Sequence, residues 1–369
     1  MEKISVNLNK NTYPLYIGNS IIKNLKQLLK KHGLPQNIFF IIDSNTEKYW
    51  GKSVKKELFY KNKKQFTYIL NPGEKSKNYL KVNEIYSSLL ENNFGRDTLI
   101  VACGGGVTGD LAGFVASSFM RGLKLVHIPT TLLAMVDSSI GGKTGINFKK
   151  NKNIIGTFYQ PDFVLIDTAF LTSLPKSEII SGMGEIIKYG YLSDQAFFAY
   201  LDRNFDHLTN CEPEFIKYAI LKSALIKASV VSNDEREAGL RQILNLGHTF
   251  AHAFEKELNF KIKHGEAVVA GIICSVILSY NLNFLPGNLM MKILSLTSKI
   301  KLPKNLSKIN LENVLLHMQH DKKNRNGKIK FVLLKGIGEI IIGAEVSKKE
   351  VISALSKGIK SFYSENFLL

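Results

Sequence analysis

At 369 residues the chain exceeds the usual reach of one hydrophobic core, so two domains are expected. Its three cysteines, Cys103, Cys211 and Cys274, are too scattered for a disulfide framework or a Cys-x-x-Cys metal site and point to a reducing compartment. The net charge of +18 comes from dispersed lysines without interleaved aromatics, which argues against a nucleic-acid partner and fits an anionic small molecule. The amino-terminal MEKISVNLNK lacks the apolar core of a signal peptide, and the longest apolar run, residues 267–280, is too short to span a bilayer. A cytoplasmic protein with no membrane partner is therefore expected.

Short β-rich runs at residues 38–43, 67–70, 98–103 and 123–128 alternate with helix-length segments, the pattern of a parallel α/β sheet. Beyond Leu174-Pro175 long helical patterns dominate, apart from two β-rich pieces over residues 328–342 that flank Gly336 and Gly338. The expected architecture is an α/β nucleotide-binding domain over residues 1–174, followed by a mainly α-helical metal and substrate domain over residues 175–369. With no flexible linker between the halves, a site in the cleft between them is expected.

The strand at 98–103 runs into Gly104-Gly105-Gly106-Val107-Thr108-Gly109-Asp110, a G-x-G-x-x-G turn opening a helix, where backbone amides can receive a pyrophosphate. The ribose-binding acid of the usual dinucleotide fingerprint, about 20 residues on, is missing, since Gly122, Leu123 and Lys124 stand there. Asp43, at the end of the 38–43 strand, is the alternative acid if the topology sets it beside the glycines; as a helix cap before Thr46 it is equally well explained. In IPTTLLAMVDSSIGGKTGINF, the polar Thr130, Thr131, Asp137, Lys143 and Asn147 cluster around Gly141-Gly142 and predict an anion-binding loop, with Lys152 and Asn153 following.

Further on, Glu185 and Lys188 in GMGEIIKYG are three apart, which places both on one helical face. His248 and His252 in GHTFAHAFE are four apart, and His264 opens HGEAV. A carboxylate with two imidazoles from this set forms a catalytic metal site with an open coordination position. Eight histidines will also produce a helically spaced pair by accident. The metal reading is strengthened by Glu237, Arg241 and Asn245, which precede His248 at helical intervals and form a polar stripe on a single helix.

Taken together, GGGVTGDLAGFVAS, Arg121-Gly122, IPTTLLAMVDSSIGGKTGIN, GMGEIIKYG, DEREAGLRQILNLGHTFAHAFE, HGEAV and DKK resemble the 3-dehydroquinate synthases of the sugar-phosphate cyclase superfamily, in order and over nearly the whole chain. The resemblance implies a phosphate-eliminating lyase of the shikimate pathway, acting on 3-deoxy-D-arabino-heptulosonate 7-phosphate with NAD and a divalent metal, zinc or cobalt. It implies Glu185, His248 and His264 as metal ligands, which leaves His252 as a substrate or proton-relay neighbour. NAD contacts carried over by position are Asp43, Asn45, Glu74, Lys77, Gly105, Gly106, Val107, Asp110, Thr130, Thr131, Lys143, Lys152 and Thr172. Substrate positions are Asp137, Lys143, Lys152, Asn153, Lys188, Lys227, Arg241, Asn245, His252, His264 and Lys322; among them Lys143, Lys188, Lys227, Arg241, Asn245 and His252 are assigned to catalysis. Arg121 matches an arginine that reaches the neighbouring subunit's phosphate pocket, implying a homodimer. Four positions depart from the commoner pattern: Met135, Ser173, Gly184 and Ala251. Gly184 is expected to loosen the helix bearing Glu185 by about 1 kcal/mol. The competing expectation is a metal-dependent polyol or alcohol dehydrogenase, or another sugar-phosphate cyclase.

Overall fold

The computed structural model describes residues 1–8, 11–149, 151–319 and 329–362. They form two compact units, Met1–Pro175 with Cys211–Arg236, and Lys176–Asn210 with Glu237–Leu369. The helices used below are α1 (Ser44–Leu58), α2 (Tyr79–Glu91), α3 (Gly106–Ser118), α4 (Lys176–Leu192), α5 (Pro213–Asn233), α6 (His248–Glu257) and α7 (His264–Asn281). A division at residue 174 puts α5 in the second unit. Its packing on the strands Glu2–Val6 and Tyr13–Gly18 and on the turn Ala134–Ser138 puts it in the first, so the chain crosses between units three times.

The first unit is built on a seven-stranded sheet. Its strands are β1 (Glu2–Val6), β2 (Tyr13–Gly18), β3 (Asn37–Asp43), β4 (Gln65–Leu70), β5 (Thr98–Gly104), β6 (Lys124–Pro129) and β9 (Phe163–Asp167), in the order β1-β2-β9-β6-β5-β3-β4. Only the β1–β2 pair is antiparallel. The strands β3 (NIFFIID), β5 (TLIVACG) and β9 (FVLID) are almost wholly buried, as expected of parallel strands covered on both faces. On one face Phe39, Ile41 and Ile100 pack with Val82, Ile85 and Leu89 of α2 and with Leu111 and Val115 of α3. After β3 the chain pairs β4 on one side, then returns to place β5 on the other, so the strand order reverses between β3 and β5. Ligands of open α/β sheets bind at such a reversal, beyond the carboxyl ends of the strands.

The segment expected to be an anion-binding loop is instead a hairpin of β7 (Lys143–Phe148) and β8 (Asn151–Phe158). The positive φ angles of Gly141 and Gly142, 98° and 67°, turn the chain into it.

In the second unit, α7 is the central helix, packed on α4, α6 and the helix Lys348–Ser361. It is long and apolar enough to cross a membrane, yet 78% of it is buried within the protein. The β-rich residues near Gly336 and Gly338 form an antiparallel hairpin, β10 (Lys330–Gly336) with β11 (Glu339–Glu345).

Candidate functional site

In the first unit the register of β3, β5 and β6 brings Asp43, Gly104 and Pro129 to one end of the sheet. Asp43 meets both expectations for it. Its Oδ1 caps α1 by accepting from the amides of Asn45 (3.1 Å) and Thr46 (3.0 Å), while its Oδ2 accepts from Thr46 Oγ1 (2.8 Å). That same oxygen sits where a Cβ on Gly104 would fall, only 2.5 Å away, so the acid abuts the glycine turn. Thr46 Oγ1 lies 3.1 Å from Thr130 Oγ1, and the Thr130 amide donates to the Gly104 carbonyl (3.0 Å). Gly105 and Gly106 are confined less severely, since side chains there would lie 3.0 Å from Thr131 Cγ2 and from Ser138 Oγ. The glycines opening α3 therefore carry no side chain of their own over their backbone, the geometry in which helix-opening amides receive a phosphate. Thr172 donates to the Ala169 carbonyl at 2.8 Å. The departure at Ser173 is absorbed structurally, because its hydroxyl accepts from Trp50 Nε1 (2.8 Å) and donates to the Phe170 carbonyl (3.0 Å).

Beside this cradle, the buried Lys77 ammonium joins Asp110 on α3 to Asn153 on β8. Burial raises the Asp110 carboxyl above its ordinary value, against the pull of Lys77. Asn147 donates to Glu74 (2.7 Å) and accepts from the Asn153 amide (3.0 Å). Glu74, Lys77, Asp110, Asn147 and Asn153 are thus one network, although residues 74 and 153 are remote in sequence. Asp137 lies on a π-helical turn, Ala134–Ser138, and Lys227 of α5 donates to both its carbonyl and its carboxylate at 2.6 Å. Such turns recur where a helix is distorted for function. Arg121 and Lys143 are exposed.

The second unit gathers Glu185 of α4, His248 at the start of α6 and His264 at the start of α7, with one ligand atom from each within 4.8 Å of the others. Glu185 is fully buried. Around it stand the Lys188 ammonium and the Nε2 atoms of His248 and His264, each 3.5 Å from Oε1. A buried carboxylate faced by two imidazole nitrogens fits a divalent cation, which would satisfy all three donors. For His264, burial lowers the pKa, but hydrogen bonds to Glu185 and Glu255 and their charges raise it to about 10, so metal uptake must displace a proton there. His252, its ring 5.5 Å from that of His248, is not in the set.

Glycines next to the three ligands set the spacing of their helices. A Cβ on Gly184 would run into the Gly265 carbonyl, and one on Gly265 into Ser181. Gly247, left-handed at φ 78°, would meet the Ile272 amide at 2.8 Å. The sequence expectation that Gly184 merely loosens its helix is therefore corrected: its missing side chain lets α4 and α7 touch backbone to backbone.

The polar stripe on a single helix is also corrected. Leu240–Asn245 is a 3-10 segment, and the left-handed Gly247 separates it from α6, so Glu237, Arg241 and Asn245 do not share the face of His248. Asn245 instead donates to Glu237 Oε1 at 2.7 Å, and Arg241 is buried. Lys322 lies outside the described residues. Sequence reasoning missed Glu255, whose only local signal is its place seven residues after His248 on the same helical face.

Two family models match in tandem, 3-dehydroquinate synthase N-terminal over residues 67–181 and 3-dehydroquinate synthase C-terminal over residues 182–324. The chain is 43% identical over 362 residues to the 3-dehydroquinate synthase of Pelagibacter ubique (strain HTCC1062), covering 96% of this chain and 98% of that protein. A crystal structure of 2-deoxy-scyllo-inosose synthase complexed with carbaglucose-6-phosphate, NAD+ and Co2+ is 25% identical, with a TM-score of 0.87 over 97% of this chain and 100% of that one. The 2-epi-5-epi-valiolone synthase from Streptomyces hygroscopicus subsp. jinggangensis 5008, solved with NAD+ and Zn2+ bound, shares the fold at 24% identity and a TM-score of 0.87, over 96% of this chain and 98% of that one. Because both halves match in order and the identity runs nearly end to end, the chain belongs to the 3-dehydroquinate synthase family.

Proposed function

We propose that the protein is a 3-dehydroquinate synthase, a lyase of the shikimate pathway that converts 3-deoxy-D-arabino-heptulosonate 7-phosphate to 3-dehydroquinate and phosphate. The substrate undergoes transient oxidation, phosphate elimination, re-reduction and an intramolecular aldol closure, so no net redox change remains. When bound, NAD supplies reversible hydride acceptance and a divalent metal, zinc or cobalt, supplies Lewis acidity toward a substrate hydroxyl. The observation that carries the reading is the buried Glu185, faced by His248, His264 and Lys188, in a chain that matches the family through both halves.

We assign the metal to Glu185, His248 and His264. NAD is assigned to the phosphate cradle at Gly105, Gly106 and Val107, with Asp43, Asn45, Thr130, Thr131 and Thr172 around it and Glu74, Lys77, Asp110, Lys143 and Lys152 completing the set. The substrate's carboxylate and phosphate call for cations, which Lys188 and Arg241 supply in the second unit and Lys143, Lys152 and Lys227 in the first. Asp137, Asn153, Asn245 and His252 orient hydroxyls, and Lys322 adds a further cation. Holding the intermediates in one conformation away from water matters more here than a strong base.

A homodimer is supported by the β7–β8 hairpin, which exposes Phe148, Ile154, Ile155 and Phe158 to solvent. A Cβ on Gly122 would lie 3.2 Å from the Tyr159 hydroxyl, so Arg121 stands beside the end of that hairpin, where it can serve a second copy. None of the three cysteines is in a disulfide, and two are buried, which supports the cytoplasm as the address.

The test is phosphate release from 3-deoxy-D-arabino-heptulosonate 7-phosphate by purified protein with catalytic NAD and zinc, the product being identified by mass and NMR. Equimolar phosphate and 3-dehydroquinate without net NADH are expected. Accumulating NADH would instead indicate a dehydrogenase.

A further inference from the structure

The two histidines at the metal centre are supported differently. His248 presents Nε2 to Glu185, and its Nδ1 lies 3.2 Å from the Leu246 carbonyl, a neutral acceptor. His264 also presents Nε2 to Glu185, but its Nδ1 lies 3.5 Å from Oε1 of Glu255. Glu255 is 4% exposed and sits in the last turns of α6, while His264 opens α7, so the contact bridges two helices. Glu185 and Glu255 therefore address opposite nitrogens of one ring.

We propose that Glu255 is a positioning residue for the metal centre: its carboxylate accepts the Nδ1–H of His264, fixing the tautomer whose Nε2 lone pair faces Glu185 and the cation. A ring that can hydrogen-bond through one nitrogen only is held in one orientation, and a charged acceptor makes the other nitrogen a stronger donor than a carbonyl does. His248 and His264 are thus unequal ligands, the second being the more basic. Glu255 acts through His264 and is too buried to serve substrate directly. Across the His264 ring from Glu185, it also brings a second negative charge toward the cation, which favours a divalent ion.

The proposal deepens the metal reading and rests on it. Metal-free protein is titrated with Zn2+ against a chromophoric chelator and with Co2+ by its visible absorption, for the parent, Glu255→Gln and Glu255→Asp, with NAD binding as the check on folding. In the parent, one equivalent of zinc is expected. Glu255→Gln keeps the shape and loses the charge; its zinc affinity is expected to fall by about 10- to 100-fold with an altered Co2+ spectrum, the usual size of an outer-shell effect. Glu255→Asp keeps the charge and is expected to recover most of that loss. Unchanged affinity in Glu255→Gln, or equal losses in both variants, overturns the role of Glu255 while leaving the metal site standing. No zinc uptake by the parent overturns the metal reading and this proposal together.

Discussion

Individual side chains here are ruled by what burial leaves unpaired. His127, on β6 and 6% exposed, lies against the backbone of Gly109 in α3, and burial pulls its pKa down from 6.5 to about 4. Between those two values the unfolded chain binds a proton that the folded chain refuses, so stability rises with pH across that window and levels off above 6.5. The group should cost about 2 kcal/mol of stability on going from pH 7 to pH 5. Urea midpoints of the first unit's unfolding should fall over that range, and His127→Asn should flatten the fall; an equal pH slope in the variant would remove His127 as its source. Asp43 shows the same economy of polar groups, since one oxygen caps a helix while the other meets a hydroxyl beside the glycine turn.

Among elements, the spacing of α4, α6 and α7 decides whether a metal site exists at all. Each ligand neighbours a glycine that lets backbones meet, so α7 acts as the plate on which Glu185 and His248 are mounted. By helix propensity alone, Gly184→Ala should stabilise the protein by about 1 kcal/mol. The added methyl, however, would strike the Gly265 carbonyl, and overpacking of that kind costs about 1–3 kcal/mol. We therefore expect Gly184→Ala to lower the thermal midpoint and weaken zinc uptake, because separating α4 from α7 moves Glu185 away from His264. A rise in midpoint with unchanged zinc affinity would restore the propensity argument.

For the whole molecule, the expectation is that Arg121 works in trans. Arg121→Ala should chiefly raise KM for the phosphate-bearing substrate, and mixing it with an inactive Lys143→Ala variant should regain up to about a quarter of the activity if subunits reassort at random in a two-site dimer. No recovery on mixing would confine Arg121 to its own subunit.

How much of this could be read without coordinates differs by kind of signal. Continuous apolar runs bounded by glycine and acid specify β3, β5 and the phosphate turn, because a parallel strand buried on both faces leaves that mark on sequence. The ligand residues were legible as types and local spacings. Which two imidazoles join Glu185 was not legible from spacing, where His252 and His264 are equally acceptable; the family resemblance names His264, and the packing of α7 on α4 and α6 brings it to Glu185. The same holds for α5, whose periodicity says helix but not which unit it joins, and for the β7–β8 segment, whose glycines and lysines read as a loop. Glu255 and the Lys77 network were invisible for a related reason: a side chain's partner across the fold has no local imprint. Sequence by itself determined the buried parallel strands, the residue chemistry and the family. Tertiary structure decided which groups meet, because long-range contacts depend on how helices pack, and here that packing turns on the absence of side chains at Gly184, Gly247 and Gly265.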